Sequence, residues 1–264
     1  MSEAVRNVRS PQLERMRAAW SVIEWRSVSA GLRPCAFLQL YSDAYAERFE
    51  DWRKHGLQVV PLRMEEKTAG RYFLHVAVGA KRETKLFKDA WMRNDHDELG
   101  KLLGYPECCR RFFRYWFEEK HLNDPSWLIA RNTTGAVAQD STVGVHGDAR
   151  ANILLRYCGL RAVPHLPCRF DCAASREFAE RLLGLYPQLG YAEEATWLIE
   201  ALDWPVEWSA LHGIAEVRTP VMKLAANTDA VAGKFTIQWM GNSFATDAVR
   251  GLGFPYDMKA QERT

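Results

Sequence analysis

Apolar residues recur every three or four positions between residues 11 and 30, where Leu13, Met16, Trp20 and Ile23 predict an amphipathic helix stopped by Pro34. The spacing then changes. "CAFLQLY" (35–41) is a short apolar run with strand character. "SDAYAERFEDWRKHG" (42–56) runs from a Ser-Asp cap to a glycine stop, which is a helix signature. "LQVVPLR" (57–63) and "RYFLHVAVG" (71–79) predict two more strands, separated by the charged turn "MEEKTAG". From Glu83 the helical period returns in two short amphipathic pieces, "ETKLFKDAWMRN" and "HDELGKLLG". A helix over 106–120 follows, with proline in its first turn, and another covers "NDPSWLIARNT" (123–133).

The second half reads as a long mobile loop over 133–152, rich in Gly, Ser, Thr and Asp. After it come a helix over "ANILLRYCGL", an extended connector "RAVPHLPC", and helices over "DCAASREFAERLLGLY" and "GYAEEATWLIEALDWP". "VEWSALHGIAEVRTPVMKLA" and "KFTIQWMG" have strand character, and the final "MKAQERT" reads as frayed. The order of elements predicts an α/β (or α+β) fold: a small mixed sheet with a helical middle section that carries most of the cysteines. Residues 1–93 read as an N-terminal α/β section and 94–264 as the cysteine-bearing section with C-terminal strands, in one continuous domain or two.

Composition changes this picture little. At 264 residues, with 47 % hydrophobic and 26 % charged residues, the chain can bury a core without disulfide staples. A formal charge of +2 gives no argument for nucleic acid or an anionic membrane as partner, which leaves a small-molecule substrate as the expected one. The first twenty residues contain no apolar signal-peptide core, and no run approaches the ~18 apolar residues that span a bilayer. A cytoplasmic protein is expected, and in a reducing compartment neighbouring cysteines read as ligands or reactive thiols before disulfides.

The six cysteines then carry the chemistry. Cys108 and Cys109 stand side by side in "GYPECC", in the first turn of the predicted 106–120 helix, where free N–H groups stabilise thiolates. "HLPCRFDC" supplies His165, Cys168 and Cys172; if helical, it sets its two cysteines at i and i+4 on one face. Soft thiolates select zinc, copper(I) or iron–sulfur. Neither segment has the C-x2-C knuckle of structural zinc sites, and adjacent cysteines reach different irons of a cluster more easily than one zinc ion. The leading expectation is therefore an iron–sulfur enzyme, with a [4Fe–4S] cluster on three or four of Cys108, Cys109, Cys168 and Cys172. With three thiolates bound, an open iron would serve sulfur transfer or a non-redox lyase step in biosynthesis of a small metabolite. The alternatives are a zinc-stapled binding module and a dithiol/disulfide redox protein. Cys35 and Cys158, isolated in apolar segments, read as packing residues.

The paired segments "LGYPECCRRFF" and "VPHLPCRFDCAAS" resemble an uncharacterised prokaryotic domain-of-unknown-function family with LGYP-x-CC and H-x-PC-x3-C motifs. The resemblance covers roughly residues 95–185. It implies a shared cysteine-lined site with Cys108, Cys109, His165, Cys168 and Cys172 at the motif positions, and leaves the chemistry open.

Three further residues are candidates for catalysis. His165 is a possible extra ligand or proton donor; His96, flanked by Asp95, Asp97 and Glu98, is a candidate base; Arg110 is a candidate anion-binding group. His146 and Asp148 fall on the predicted loop, and His75 and His212 read as core histidines. No G-x-S-x-G elbow, phosphate-binding loop or dinucleotide fingerprint occurs.

Overall fold

The computed structural model describes residues 3–122, 124–228 and 235–243. Its first layer begins with α1 (Glu3–Ser29), β1 (Cys35–Tyr41), α2 (Ser42–Lys54), β2 (Gln58–Thr68) and β3 (Arg71–Gly79). The strands form an antiparallel three-stranded sheet in the order β1-β3-β2. Alternation along the strands splits the side chains between two faces. Ala36, Leu38, Val76 and Val78 pack under Trp25 and Val28 of α1 and Trp52 of α2, while Cys35 and Ala77 face the opposite way.

That opposite face is covered by α3 (Lys81–Met92) and α4 (His96–Leu102), through Phe87, Ala90, Leu99 and Leu102. The chain continues into α5 (Glu107–Phe113), whose end widens into a π-helical turn over Arg114–Glu119, and then α6 (Ser126–Asn132). A hairpin of β4 (Val137–Gln139) and β5 (Thr142–Val145) precedes two 3-10 turns, Ala149–Ala151 and Arg156–Cys158. Helices α7 (Ala173–Leu183), α8 (Leu185–Gln188) and α9 (Ala192–Leu202) lead to β6 (Val206–Leu211), β7 (Ile214–Arg218), β8 (Lys223–Asn227) and β9 (Phe235–Trp239). The second sheet has the order β4-β5-β9-β6-β7-β8, and only its β5–β9 pair is parallel. The largest core lies between this sheet, α7–α9 and the middle of α1 (Leu13 to Ile23), and includes Ile23, Phe178, Tyr186 and Trp208, all fully buried. No helix among the described residues is long and apolar enough to cross a membrane.

The mixed α/β class is as expected, and several boundaries differ for physical reasons. α1 begins at Glu3 rather than at 11 and ends at Ser29, within one residue of expectation, but Gly31 and not Pro34 closes it: Gly31 takes φ +70°, its N–H donates to the Val28 carbonyl and the Leu32 N–H to the Ser27 carbonyl. This left-handed closure satisfies the last carbonyls well before the proline. β2 runs through "MEEKT" because that half of the strand still pairs with β3. The 133–152 segment is not a long loop, since β5 is fixed by β9. Residues 151–160 do not form a helix. The Asn152 side chain accepts from the Leu154 N–H and donates to the Leu202 carbonyl, which draws the chain into an irregular path. His212 is an exposed turn residue with φ +49°, not a core histidine. The "MKAQERT" segment lies outside the described residues.

Candidate metal centre

The approach to the site begins at Gly104. Its φ of +72° places it just past the end of α4, where the Gly104 N–H donates to the Lys101 carbonyl and the Tyr105 N–H to the Gly100 carbonyl. The chain is thereby turned at once into Pro106, the N-cap of α5. The first turn of α5 then carries Cys108, half-buried, and Cys109, buried.

The second segment is held from two sides. The Tyr105 hydroxyl donates to the Pro164 carbonyl at 3.3 Å, and its ring lies 5.1 Å from that of His165. The Asn132 amide donates to the Cys168 carbonyl at 3.4 Å. Cys168 sits in a turn before α7, and Cys172 is the N-cap of α7. The two cysteines therefore do not share a helix face as their spacing suggested. The chain bends between them, with the Cys172 N–H donating to the Arg169 carbonyl at 3.2 Å.

These folds bring four sulfurs together. The Sγ atoms of Cys108, Cys109, Cys168 and Cys172 all lie within 4.8 Å of one another. Cys108–Cys109 is 3.9 Å, and Cys172 is 3.7 Å from each of them. The neighbouring cysteines of "GYPECC" thus converge instead of diverging, because both side chains in the first turn of α5 face the Cys168–Cys172 bend. The group could hold a metal ion. A tetrahedral ion with Zn–S bonds of about 2.3 Å sets its sulfurs about 3.8 Å apart, which is the spacing found among Cys108, Cys109 and Cys172. All six cysteines are free thiols.

Hydrogen bonds around the sulfurs divide the charge among them. The Cys168 N–H donates to Cys109 Sγ at 3.4 Å, and the Ser175 hydroxyl lies 3.2 Å from the same sulfur. Cys172 is held below the usual thiol range by hydrogen bonds from Cys109 and Cys168. Cys109 is pushed up correspondingly by its bonds to Cys168 and Cys172 and by burial. At Cys168 the bond with Cys109 lowers the pKa, but the bond to Cys172 and burial outweigh it and push it up to about 12. The metal-free cluster is a protonated form of a ligand set. A metal that binds here must displace the remaining protons.

His165 stands one contact further out. Its Nε2 is 2.8 Å from the Ser175 hydroxyl, which in turn touches Cys109. Burial pushes its pKa down to about 3, so the ring is neutral at pH 7. His96 begins α4 and packs edge-on against Phe113 and Phe117, with centroids at 6.1 and 5.3 Å. Arg110 is paired with Asp97 at 2.6 Å. His165, His96 and Arg110 share the lining of one cavity of about 250 Å³, and Cys109 forms part of its wall. Two other candidates lie elsewhere: His146 is exposed, and Asp148 forms a two-pronged ion pair with Arg150. Cys35 and Cys158 are buried, and burial pushes their thiols up to about 12 and about 11.

Ser175 and Tyr105 were missed at the level of sequence. Ser175 had a signal, being three residues past Cys172 at the start of a helical pattern and so on the same side of α7. Tyr105 had none, because its role depends on a carbonyl 59 residues away. Compared with known proteins, the chain matches no family model, no curated protein and no solved structure.

Proposed function

We propose that the chain is a metal protein in which Cys108, Cys109, Cys168 and Cys172 bind one tetrahedral ion, zinc in first place, beside a small-molecule cavity. The observation that carries this reading is the sulfur spacing of 3.7–3.9 Å among Cys108, Cys109 and Cys172, which matches the edge of a single-ion tetrahedron of about 3.8 Å, with the Cys168 sulfur within 4.8 Å of all three. Four thiolates close the coordination sphere, as structural zinc sites do. The ion then clamps the start of α5 to the bend before α7 and fixes the Cys109 wall of the cavity. On this reading the resemblance to the LGYP-x-CC family extends to a common metal-clamped site.

A second reading, an iron–sulfur enzyme of transferase or lyase type, draws on the half-exposure of Cys108 and Cys168. A four-iron cluster places each thiolate on a separate iron, so the sulfurs must move apart, and these two have solvent on their outer side to move into. Metal and acid-labile sulfide analysis of protein purified without oxygen separates the two. About one zinc per chain, colourless and free of sulfide, is expected. Stoichiometric iron with sulfide and a broad visible band supports the cluster instead. Protein that takes up neither zinc nor iron, while its thiols titrate fully, removes both.

A further inference from the structure

The cavity beside Cys109 has two unlike ends. Its inner wall is aromatic: Phe37 of β1 stacks on Trp91 of α3 at 5.4 Å with 27° between the rings, and on Phe87 at 6.4 Å with 13°. Near-parallel rings along one wall present a flat apolar face, which favours a flat π-system laid against it. The volume of about 250 Å³ lies just below the roughly 300–1,000 Å³ of pockets for drug-sized ligands, and so suits a molecule of one or two rings.

The other end is cationic. Arg110 and Arg114 line both the cavity and an adjoining surface groove, where Lys101 and Arg111 join them. Asp97 and Glu107 line the groove beside these four cations, and Glu98 also pairs with Lys101 at 3.3 Å, so the balance of charge there is one positive. Two buried polar atoms at the cavity also have no hydrogen-bond partner among the described residues, Nε of Arg110 and Nδ1 of His165. Arg110 already spends its Nη1 on Asp97, which leaves Nε as a directed donor. An unmet buried donor is costly, and an acceptor on a ligand relieves it.

We infer that this cavity binds a planar aromatic anion of one or two rings carrying a carboxylate or phosphate. The ring lies on the Phe37–Trp91 wall, the anionic group meets Arg110 and Arg114, and the opposite edge approaches Cys109 and His165. The inference rests on the metal-centre reading for one thing only, the fixed position of the Cys109 wall.

Calorimetric titration of the full-length protein with 2-naphthoate tests it, with 2-naphthol and cyclohexanecarboxylate as controls for charge and ring. One saturable naphthoate site per chain is expected, with both controls about tenfold weaker or more. Arg114→Gln, a change at an exposed side chain, weakens naphthoate about tenfold and leaves naphthol unchanged. Trp91→Leu weakens both ring compounds by about fivefold. No saturable binding, equal binding of cyclohexanecarboxylate, or wild-type affinity in both variants overturns the inference. Metal analysis on the same samples keeps the two proposals apart. Naphthoate binding by protein that holds no metal leaves the inference standing and removes the metal reading, whereas a fully metallated protein that ignores naphthoate removes the inference alone.

Discussion

Cys158 turns its buried thiol to the Leu155 carbonyl at 2.9 Å, whereas Cys172 has two other sulfurs at 3.7 Å. The same atom type thus fills a gap in one place and gathers charge in the other. Cys172→Ala is expected to abolish stoichiometric metal binding, since it removes one of four converging sulfurs, the one 3.7 Å from both Cys108 and Cys109. Cys158→Ala is expected to keep the full metal content and lose only about 1 kcal/mol of stability. Metal analysis and urea denaturation of the two variants check this contrast. A second buried group has its charge fully met. Asp124 receives Arg156 at 3.0 Å on both carboxylate oxygens, with further bonds from Ser126, Tyr157 and Thr228. Burial by itself would raise its pKa, but Arg156 and the three hydroxyl donors outweigh it and hold the carboxyl below its usual range. Its folded pKa therefore lies under the unfolded value of about 3.9. The stabilisation is fully present above that pH and is lost as the pH falls through the lower, folded value. Asp124→Asn is expected to cost about 3–5 kcal/mol at pH 7, and the gap to wild type should narrow below about pH 4. Urea midpoints measured across pH 2–7 read both.

Among the elements, the turn from α4 to α5 sets the position of both neighbouring cysteines. A Cβ on Gly104 would sit 2.8 Å from the Arg33 Cβ, and its φ of +72° already disfavours any other residue. Gly104→Ala is expected to destabilise the fold by about 1–3 kcal/mol and to weaken metal binding by tilting α5, measurable by competition with a chromogenic chelator. An unchanged metal affinity would separate the turn from the site. How far such elements could be read from the chain depends on where their partners lie. β1, α2, α3 and α4 were legible because their spacing is local and glycines lie just past α2 and α4, although the expected Ser-Asp cap of α2 is not formed: Tyr41 is its N-cap, with no side-chain hydrogen bond. The β4–β5 hairpin was not, because β5 is held by β9, with Thr142 opposite Thr236. Residues 151–160 misled for another reason. Ile153, Leu154, Leu155 and Leu160 are all buried, so apolar residues there carry no face-specific period. The two cysteine segments were legible as a pair from residue type alone, but the bend between Cys168 and Cys172 was not. It needs the Asn132 amide to donate to the Cys168 carbonyl and the Cys109 sulfur to accept from the Cys168 N–H, both from other parts of the chain.

For the whole molecule, the metal site lies where separate layers meet. α3 and α4 cover one face of the first sheet, α7 belongs to the core beneath the second, and α1 contributes to both cores, with Trp20 and Ile23 in one and Trp25 and Val28 in the other. A bound ion that joins the start of α5 to the start of α7 therefore ties the two layers, and its binding energy becomes stability of the whole chain. Chelation under reducing conditions is expected to lower the thermal midpoint by about 10 °C, taking a ligand held at a thousand times its Kd and a chain of this size. Re-addition of zinc should restore it, and a midpoint that does not move would place the site outside the folding equilibrium.

The parallel β5–β9 pair also sets an order in time. β9 lies between β5 and β6 and is the last described strand to leave the ribosome, while both of its neighbours precede it. At about 5–20 residues per second, β5 waits several seconds for its partner. Through that interval the nascent sheet has an open slot flanked by Val143, Val145 and Trp208, all buried once β9 arrives. Two unpaired edges around an apolar gap invite a strand from another chain. Chaperone dependence during synthesis, more than final stability, is where this topology makes its demand on the cell.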